Sequence, residues 1–100
     1  MNELSTYNKQ IQNLCNLYNV RTLFAFGSVT TNKYSSDSDI DLIVDIDSND
    51  PFDYSENYFN LKFNLEDLLK RQIDLLEDKA IKNPFLRQEI DKTKVLVYGK

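Results

Sequence analysis

The sequence predicts an α/β (α+β) fold, a small sheet covered by helices, and three observations carry that expectation. Segments with apolar residues at spacings of three and four alternate along the chain with short β-branched runs. The chain has 100 residues, 41% apolar and 28% charged, which is the range of one globular domain spanning residues 1–100. Turn and cap signals, Gly27-Ser28 and Asn83-Pro84, punctuate the periodic segments.

Taken in order, Leu4, Tyr7, Ile11, Leu14, Cys15 and Tyr18 form one helical stripe and predict a first amphipathic helix. Val20 to Phe26 is β-branched and aromatic and stops at Gly27-Ser28, so it reads as a strand entering a turn. Val29 to Ser38 is polar and reads as a loop or a short exposed helix. Asp39 to Ile46 alternates: Ile40, Leu42, Val44 and Ile46 share one face, and Asp39, Asp41, Ile43 and Asp45 share the other. Asp47 to Glu56 reads as a solvated loop whose charges serve solubility.

Between Tyr58 and Leu69, the residues Phe59, Phe63, Leu65, Leu68 and Leu69 predict a second helix. Phe52, Tyr54 and Tyr58 read as core packing, with a partner surface as the alternative. Ile73 to Glu77 is a third strand candidate. Asn83-Pro84 starts a helix that carries Phe85, Leu86 and Ile90 inward, and Val95 to Tyr98 is a terminal strand before Gly99. No internal repeat or low-complexity segment interrupts this order.

Composition excludes several chemistries. With no histidine, the chain cannot run a His-based triad, a His-ligated zinc site or an imidazole switch, so catalysis falls to carboxylates. Twelve Lys and Arg against sixteen Asp and Glu give a net charge of −4, which argues against a broad grip on nucleic acid or anionic lipid. The lone Cys15 permits no disulfide within the chain, reads as a small buried apolar residue, and suits the reducing cytoplasm. No apolar run approaches the ~20 residues that span a bilayer, and the N-terminus lacks the pattern of a signal peptide, so no membrane association is expected.

The residues with chemical promise are few. Gly27 stands where an apolar strand hands over to a polar turn, with Ser28 next to it. Such a turn is either a plain reversal or a place where backbone and hydroxyl approach phosphate oxygens. After a ten-residue spacer come Asp39 and Asp41, at the two-residue period of a strand, which puts both carboxylates on one face with Cα atoms roughly 6–7 Å apart. Two aligned acids either face water or share a divalent cation, and hard carboxylate oxygens suit Mg²⁺ together with substrate phosphates. Asp74 stands within Ile73-Asp74-Leu75-Leu76, where a charge is costly without a partner. Were its strand adjacent to that of Asp39 and Asp41, the three acids could converge on one or two metal ions.

Three rival motifs fail. Gly27 to Tyr34 mimics a phosphate-binding loop, but Asn32 replaces its second glycine and Tyr34 its final Ser or Thr. Asp37, Asp39 and Asp41 mimic a calcium loop, but Leu42 replaces the sixth-position glycine and Ser48 the twelfth-position acid. A paired-carboxylate glycosidase would need a sugar cleft, for which a chain of this size without tryptophan is poorly equipped.

Phe26-Gly27-Ser28, the spacer, Asp37-Ser38-Asp39-Ile40-Asp41-Leu42 and the later Ile73-Asp74-Leu75 resemble the minimal nucleotidyltransferase domain of the polymerase-beta-like superfamily. The signature of that family is Gly-Ser, a spacer, Asp-x-Asp and a third acid on a following strand, and the resemblance spans nearly the whole chain. It implies a mixed β-sheet with helices packed mainly on one face. It also implies that Asp39 and Asp41 bind Mg²⁺, that Gly27 and Ser28 hold the triphosphate of a nucleotide, and that Asp74 completes the metal site and helps deprotonate the attacking hydroxyl. Many members carry an Ala-Arg-Gly step after Gly-Ser. Here Thr30-Thr31-Asn32 occupies it, and Lys33 is the nearby cation that could reach phosphate.

Small stand-alone members of the family are antitoxins paired with HEPN-domain toxins, and they transfer AMP from ATP to a tyrosine of that partner. The resemblance therefore implies a Mg²⁺-dependent adenylyltransferase antitoxin whose partners are ATP and a HEPN toxin, with homo-oligomerisation left open. Two alternatives remain beside it: an antitoxin that acts by occlusion alone, and a transferase for a small-molecule hydroxyl. Fold membership does not choose the acceptor.

Overall fold

Val20–Phe26 forms β1 and Ile40–Ile46 forms β2, an antiparallel pair at the centre of a four-stranded sheet. The computed structural model describes residues 3–30 and 39–99. Ile73–Glu77 forms β3, parallel to β2, and Val95–Tyr98 forms β4, antiparallel to β1, so the sheet runs β3-β2-β1-β4 and is mixed. All four strands fall where the alternation and β-branching of the sequence put them.

The core lies on one face of this sheet. Ile40, Leu42, Val44 and Ile46 of β2, Leu23 and Ala25 of β1, and Ile73 and Leu75 of β3 are all buried there. Three helices cover them: α1 (Glu3–Thr6), α2 (Asn8–Leu17) and α3 (Pro51–Leu69). Leu4, Ile11, Cys15, Leu61, Leu65 and Leu69 supply the helical side of that layer. Each Leu or Ile taken fully out of water there contributes roughly 1.5–3 kcal/mol. The second face carries Asp39, Asp41, Ile43 and Asp45 and is crossed by α4 (Pro84–Thr93), whose Ile90 lines a cavity of about 290 Å³ with Thr22, Phe24 and Ile43. Among the described residues no helix is long and apolar enough to cross a membrane.

Several local expectations change. The first helix is split at Tyr7. Ser5, Thr6, Tyr7 and Asn8 are all weak helix formers, and the apolar stripe continues across the break because Leu4, Ile11 and Cys15 still reach the core. Val29 is not part of an exposed loop: it is buried in a 3₁₀ turn, Gly27–Thr30, that leaves β1. Residues 31–38, which include Lys33, lie outside the described residues.

The supposed loop from Asp47 to Glu56 is a helix from Pro51 onward. Asp50 caps it by accepting from the Phe52 N–H at 3.0 Å, with Pro51 in the first turn, so Asp50 is structural rather than merely solubilising. Asp47 likewise pairs with Arg21 at 2.7 Å.

Phe59 and Phe63 are 50% and 58% exposed and stack on each other instead of facing the core. The buried stripe is Leu61, Leu65 and Leu69, and residues two positions away point about 200° round the helix. Phe52 is also exposed, while Tyr54 and Tyr58 pack against the core. Of the three residues expected to face inward on α4, only Ile90 is buried and Phe85 and Leu86 are exposed, because the acidic face offers one apolar floor, around Phe24 and Ile43. The cap itself is as expected: Asn83 accepts from the N–H groups of Phe85 and Leu86.

Candidate active site

The strand order places β2 beside β3, and their parallel register pairs Asp41 directly with Asp74. Side chains at paired positions of neighbouring strands share a face, and the strands are about 4.8 Å apart. The adjacency that the sequence left open is therefore present. Asp39 stands just before β2, two residues from Asp41, and is exposed, as is Asp74. Asp41 is half-buried, and burial, followed by the charges of Asp74 and Asp39, raises its carboxyl above the ordinary 3.8.

Gly27 is the other wall. β1 pairs with β2 so that Phe26 lies opposite Asp41, and the chain then turns at Gly27 with φ +73°. A Cβ at Gly27 would lie 2.8 Å from Asp41 Oδ2, so glycine is required both by the left-handed backbone and by the contact. The turn is pinned at both ends of the Gly27 residue. The Thr30 hydroxyl donates to the Gly27 carbonyl at 2.7 Å, and the Gly27 N–H donates to Thr93 Oγ1 at 3.3 Å. Gly27 thus shapes the site by lacking a side chain, since its amide is committed to Thr93. Ser28 follows within the same 3₁₀ turn.

The acids divide by their surroundings. Asp45, on the same face as Asp41, is neutralised by Arg21 at 3.2 Å and by Lys79 at 3.8 Å. Among the described residues, Asp39, Asp41 and Asp74 form no ion pair. Asp41, half-buried and without a counter-charge among the described residues, with the hard carboxylate oxygens of Asp39 and Asp74 near it, suits a divalent cation such as Mg²⁺. Among the described residues no group of three or more Asp, Glu, Cys or His side chains is gathered closely enough to hold a metal alone. Mg²⁺ ordinarily takes one or two carboxylates and completes its shell with water and substrate phosphate, which is the arrangement these residues suit.

Two features had no sequence signal. Thr93 reaches Gly27 from 66 residues away, and nothing local marks a threonine in the last helical turn as part of a site. The exclusion of Asp45 depends on Arg21 and Lys79, which only the folded sheet brings beside it. Cys15 is fully buried and its thiol is pushed up to about 12, so it offers no ready thiolate.

Comparison with known proteins identifies the family and the fold. The sequence profile of the family described as "Polymerase beta, Nucleotidyltransferase" matches residues 9–100. Two proteins of Methanocaldococcus jannaschii, each provisionally named a protein adenylyltransferase, are 34% and 35% identical over 80 residues, covering 80% of this chain and 79% of theirs. A solved structure provisionally described as a minimal nucleotidyltransferase superposes with a TM-score of 0.76 at 25% identity, covering 95% of each chain. A toxin-antitoxin solved with AMP-PNP shares the fold, with a TM-score of 0.71 at 20% identity over 93% of this chain and 73% of that one. So does a complex of a tri-AMPylated Shewanella oneidensis HEPN toxin with MNT antitoxin, at 0.66 and 18% over 97% of this chain and 73% of that one. The fold is shared with such structures and the family profile covers nearly the whole chain; this protein belongs to the polymerase beta nucleotidyltransferase family.

Proposed function

We propose that this chain transfers AMP from ATP to a hydroxyl, in a Mg²⁺-dependent reaction in the cytoplasm, and that the acceptor is a tyrosine of a cognate HEPN-domain toxin. The observation that carries the reading is Asp41 held between Asp74 on the next strand and the side-chain-free Gly27 turn. Acids on one side and a turn open to close approach on the other suit a polyphosphate bridged by a cation. The protein adenylyltransferase relatives and the HEPN–MNT complex of the same fold support the choice of acceptor.

In this reading Asp39 and Asp41 hold the cation, and Ser28 orients the phosphates that approach over Gly27. Asp74 takes the proton of the acceptor hydroxyl as its oxygen bonds to the α-phosphorus and the bond to pyrophosphate breaks. Mg²⁺ bound there would offset charge on the attacking oxygen and on the departing pyrophosphate. Lys33 is assigned a phosphate contact on the strength of its sequence position alone.

A second reading rests on Thr30-Thr31-Asn32, where the family resemblance expects a basic step: an antitoxin that neutralises its partner by binding. One experiment separates the two. A candidate HEPN-domain partner is incubated with this chain, ATP and Mg²⁺, and its intact mass is measured alongside an Asp39→Ala/Asp41→Ala control. Added AMP that depends on the two aspartates supports transfer. A tight complex without added mass sinks transfer and leaves neutralisation by binding.

A further inference from the structure

The Gly-Ser turn is braced from outside the motif. Thr93 Oγ1 donates its single proton to the Glu89 carbonyl at 3.1 Å, so its lone pairs are left to accept the Gly27 N–H at 3.3 Å. A hydroxyl does both from one atom, which an isosteric valine cannot. Thr93 sits on the last turn of α4, and that helix is itself anchored along the acidic face. Asn83 caps its start, Arg87 donates to Asp78 at 2.9 Å, and Ile90 is buried beside Ile43. The helix therefore spans the second face of the sheet as a strut that ends on Gly27.

We propose that Thr93 is a positioning residue for the nucleotide site, holding the Gly27–Ser28 turn at the distance from Asp41 that phosphate binding needs. The inference rests on the nucleotidyltransferase reading and adds to it a residue outside the Gly-Ser and Asp-x-Asp motifs. The Asp41 carboxylate lies directly against the Gly27 backbone, 2.8 Å from the place of a Cβ, so a shift of the turn by a few tenths of an ångström displaces or re-aims that carboxylate. With its amide committed to Thr93, Gly27 also presents no competing donor to the Asp41 carboxylate, whose oxygens stay available to a cation. A site built this way is held by second contacts rather than by the ligand.

The test compares Thr93→Val, which keeps the shape and loses the acceptor, with Thr93→Ser, which keeps it. Two readouts are taken: hydrogen exchange of the Gly27 amide without nucleotide, and affinity for Mg²⁺ with AMP-PNP. Thr93→Val is expected to speed Gly27 exchange and weaken AMP-PNP binding roughly three- to tenfold, the range one hydrogen bond carries. Thr93→Ser should restore both to within about twofold of wild type, a rescue that loss of helix packing would not show. Unchanged affinity in Thr93→Val, or equal loss in Thr93→Ser, overturns the proposal. A wild-type chain that binds no AMP-PNP overturns the nucleotidyltransferase reading instead. The Gly27 exchange rates, which need no nucleotide, then report the Thr93 contact separately.

Discussion

Asp41 and Asp74 are direct neighbours across the parallel pairing of β2 and β3, two like charges at one rung of the sheet. Like charges at paired positions oppose strand association. A nearby acid of the same strand as Asp41, Asp45, is neutralised by Arg21 of β1 and by Lys79 just after β3. The contrast shows that paired cations are within this fold's means and that, among the described residues, none is used where Gly27 meets Asp41. Like-charge clusters of this kind are typical of functional sites, where a bound cation can offset them.

Removing either charge should stabilise the metal-free fold. Asp41→Asn and Asp74→Asn each relieve roughly 0.2–1 kcal/mol of cross-strand repulsion. At roughly 4–8 °C per kcal/mol for a domain of this size, Tm in EDTA should rise by up to several degrees. AMP transfer should fall to background in both, while Asp45→Asn retains it. Calorimetry with and without EDTA, paired with intact-mass assays, reads both effects; Tm unchanged or lowered in EDTA for both variants would refute the repulsion.

The pH dependence has a defined sign. Asp41 releases its proton above 3.8 in the folded chain, because burial and then Asp74 and Asp39 oppose its charge. Between 3.8 and the raised folded value the native state keeps a proton that the unfolded chain has lost. The Asp41 contribution to stability is therefore full below that window and is lost as pH rises through it. Mg²⁺ should move the Asp41 titration downward and remove part of the loss. Carboxyl NMR titration with and without Mg²⁺ measures it directly; a midpoint at or below 3.8 without metal contradicts the assignment.

Gly27→Ala should damage the site through one neighbour. Apart from its chain neighbours, the three heavy atoms nearest to an added Cβ at Gly27 all belong to Asp41, the closest at 2.8 Å, and φ of +73° adds roughly 1–2 kcal/mol of backbone cost. A double-mutant cycle with Asp41→Ala separates the two contributions, since the backbone cost persists and the contact does not. We expect Gly27→Ala to cost measurably less in the Asp41→Ala background. Additive costs would mean that Asp41 moves aside freely.

What the sequence discloses follows from the range of the interaction involved. The strands are legible because alternation such as Ile40-Asp41-Leu42 is written into consecutive residues, and the cap at Asn83-Pro84 is equally local. Asp39 and Asp41 stand out for the same reason. The start of α3 was legible too, since Asp50-Pro51 is the same kind of signal as Asn83-Pro84, but the acids and polar residues around it resemble a loop. The pairing of Asp41 with Asp74, the neutralisation of Asp45 and the reach of Thr93 to Gly27 depend on strand order and helix placement. No short-range pattern encodes them.

The face that α3 turns inward is decided by the leucines, and its aromatic residues test that. Leu61, Leu65 and Leu69 are buried at intervals of four, and Phe63 lies two positions from Leu61 and Leu65, on the far side of the helix. Leu65→Ala should cost about 2–5 kcal/mol, because it removes side-chain volume from a closed core. Phe63→Ala removes a larger side chain and should cost well under about 1 kcal/mol, as expected at an exposed site. Asp50→Ala should cost about 1 kcal/mol by freeing the Phe52 N–H. Urea unfolding of the three variants ranks them. A Phe63→Ala cost equal to that of Leu65→Ala would mean that α3 is rotated about its axis, with the aromatic stripe against the sheet.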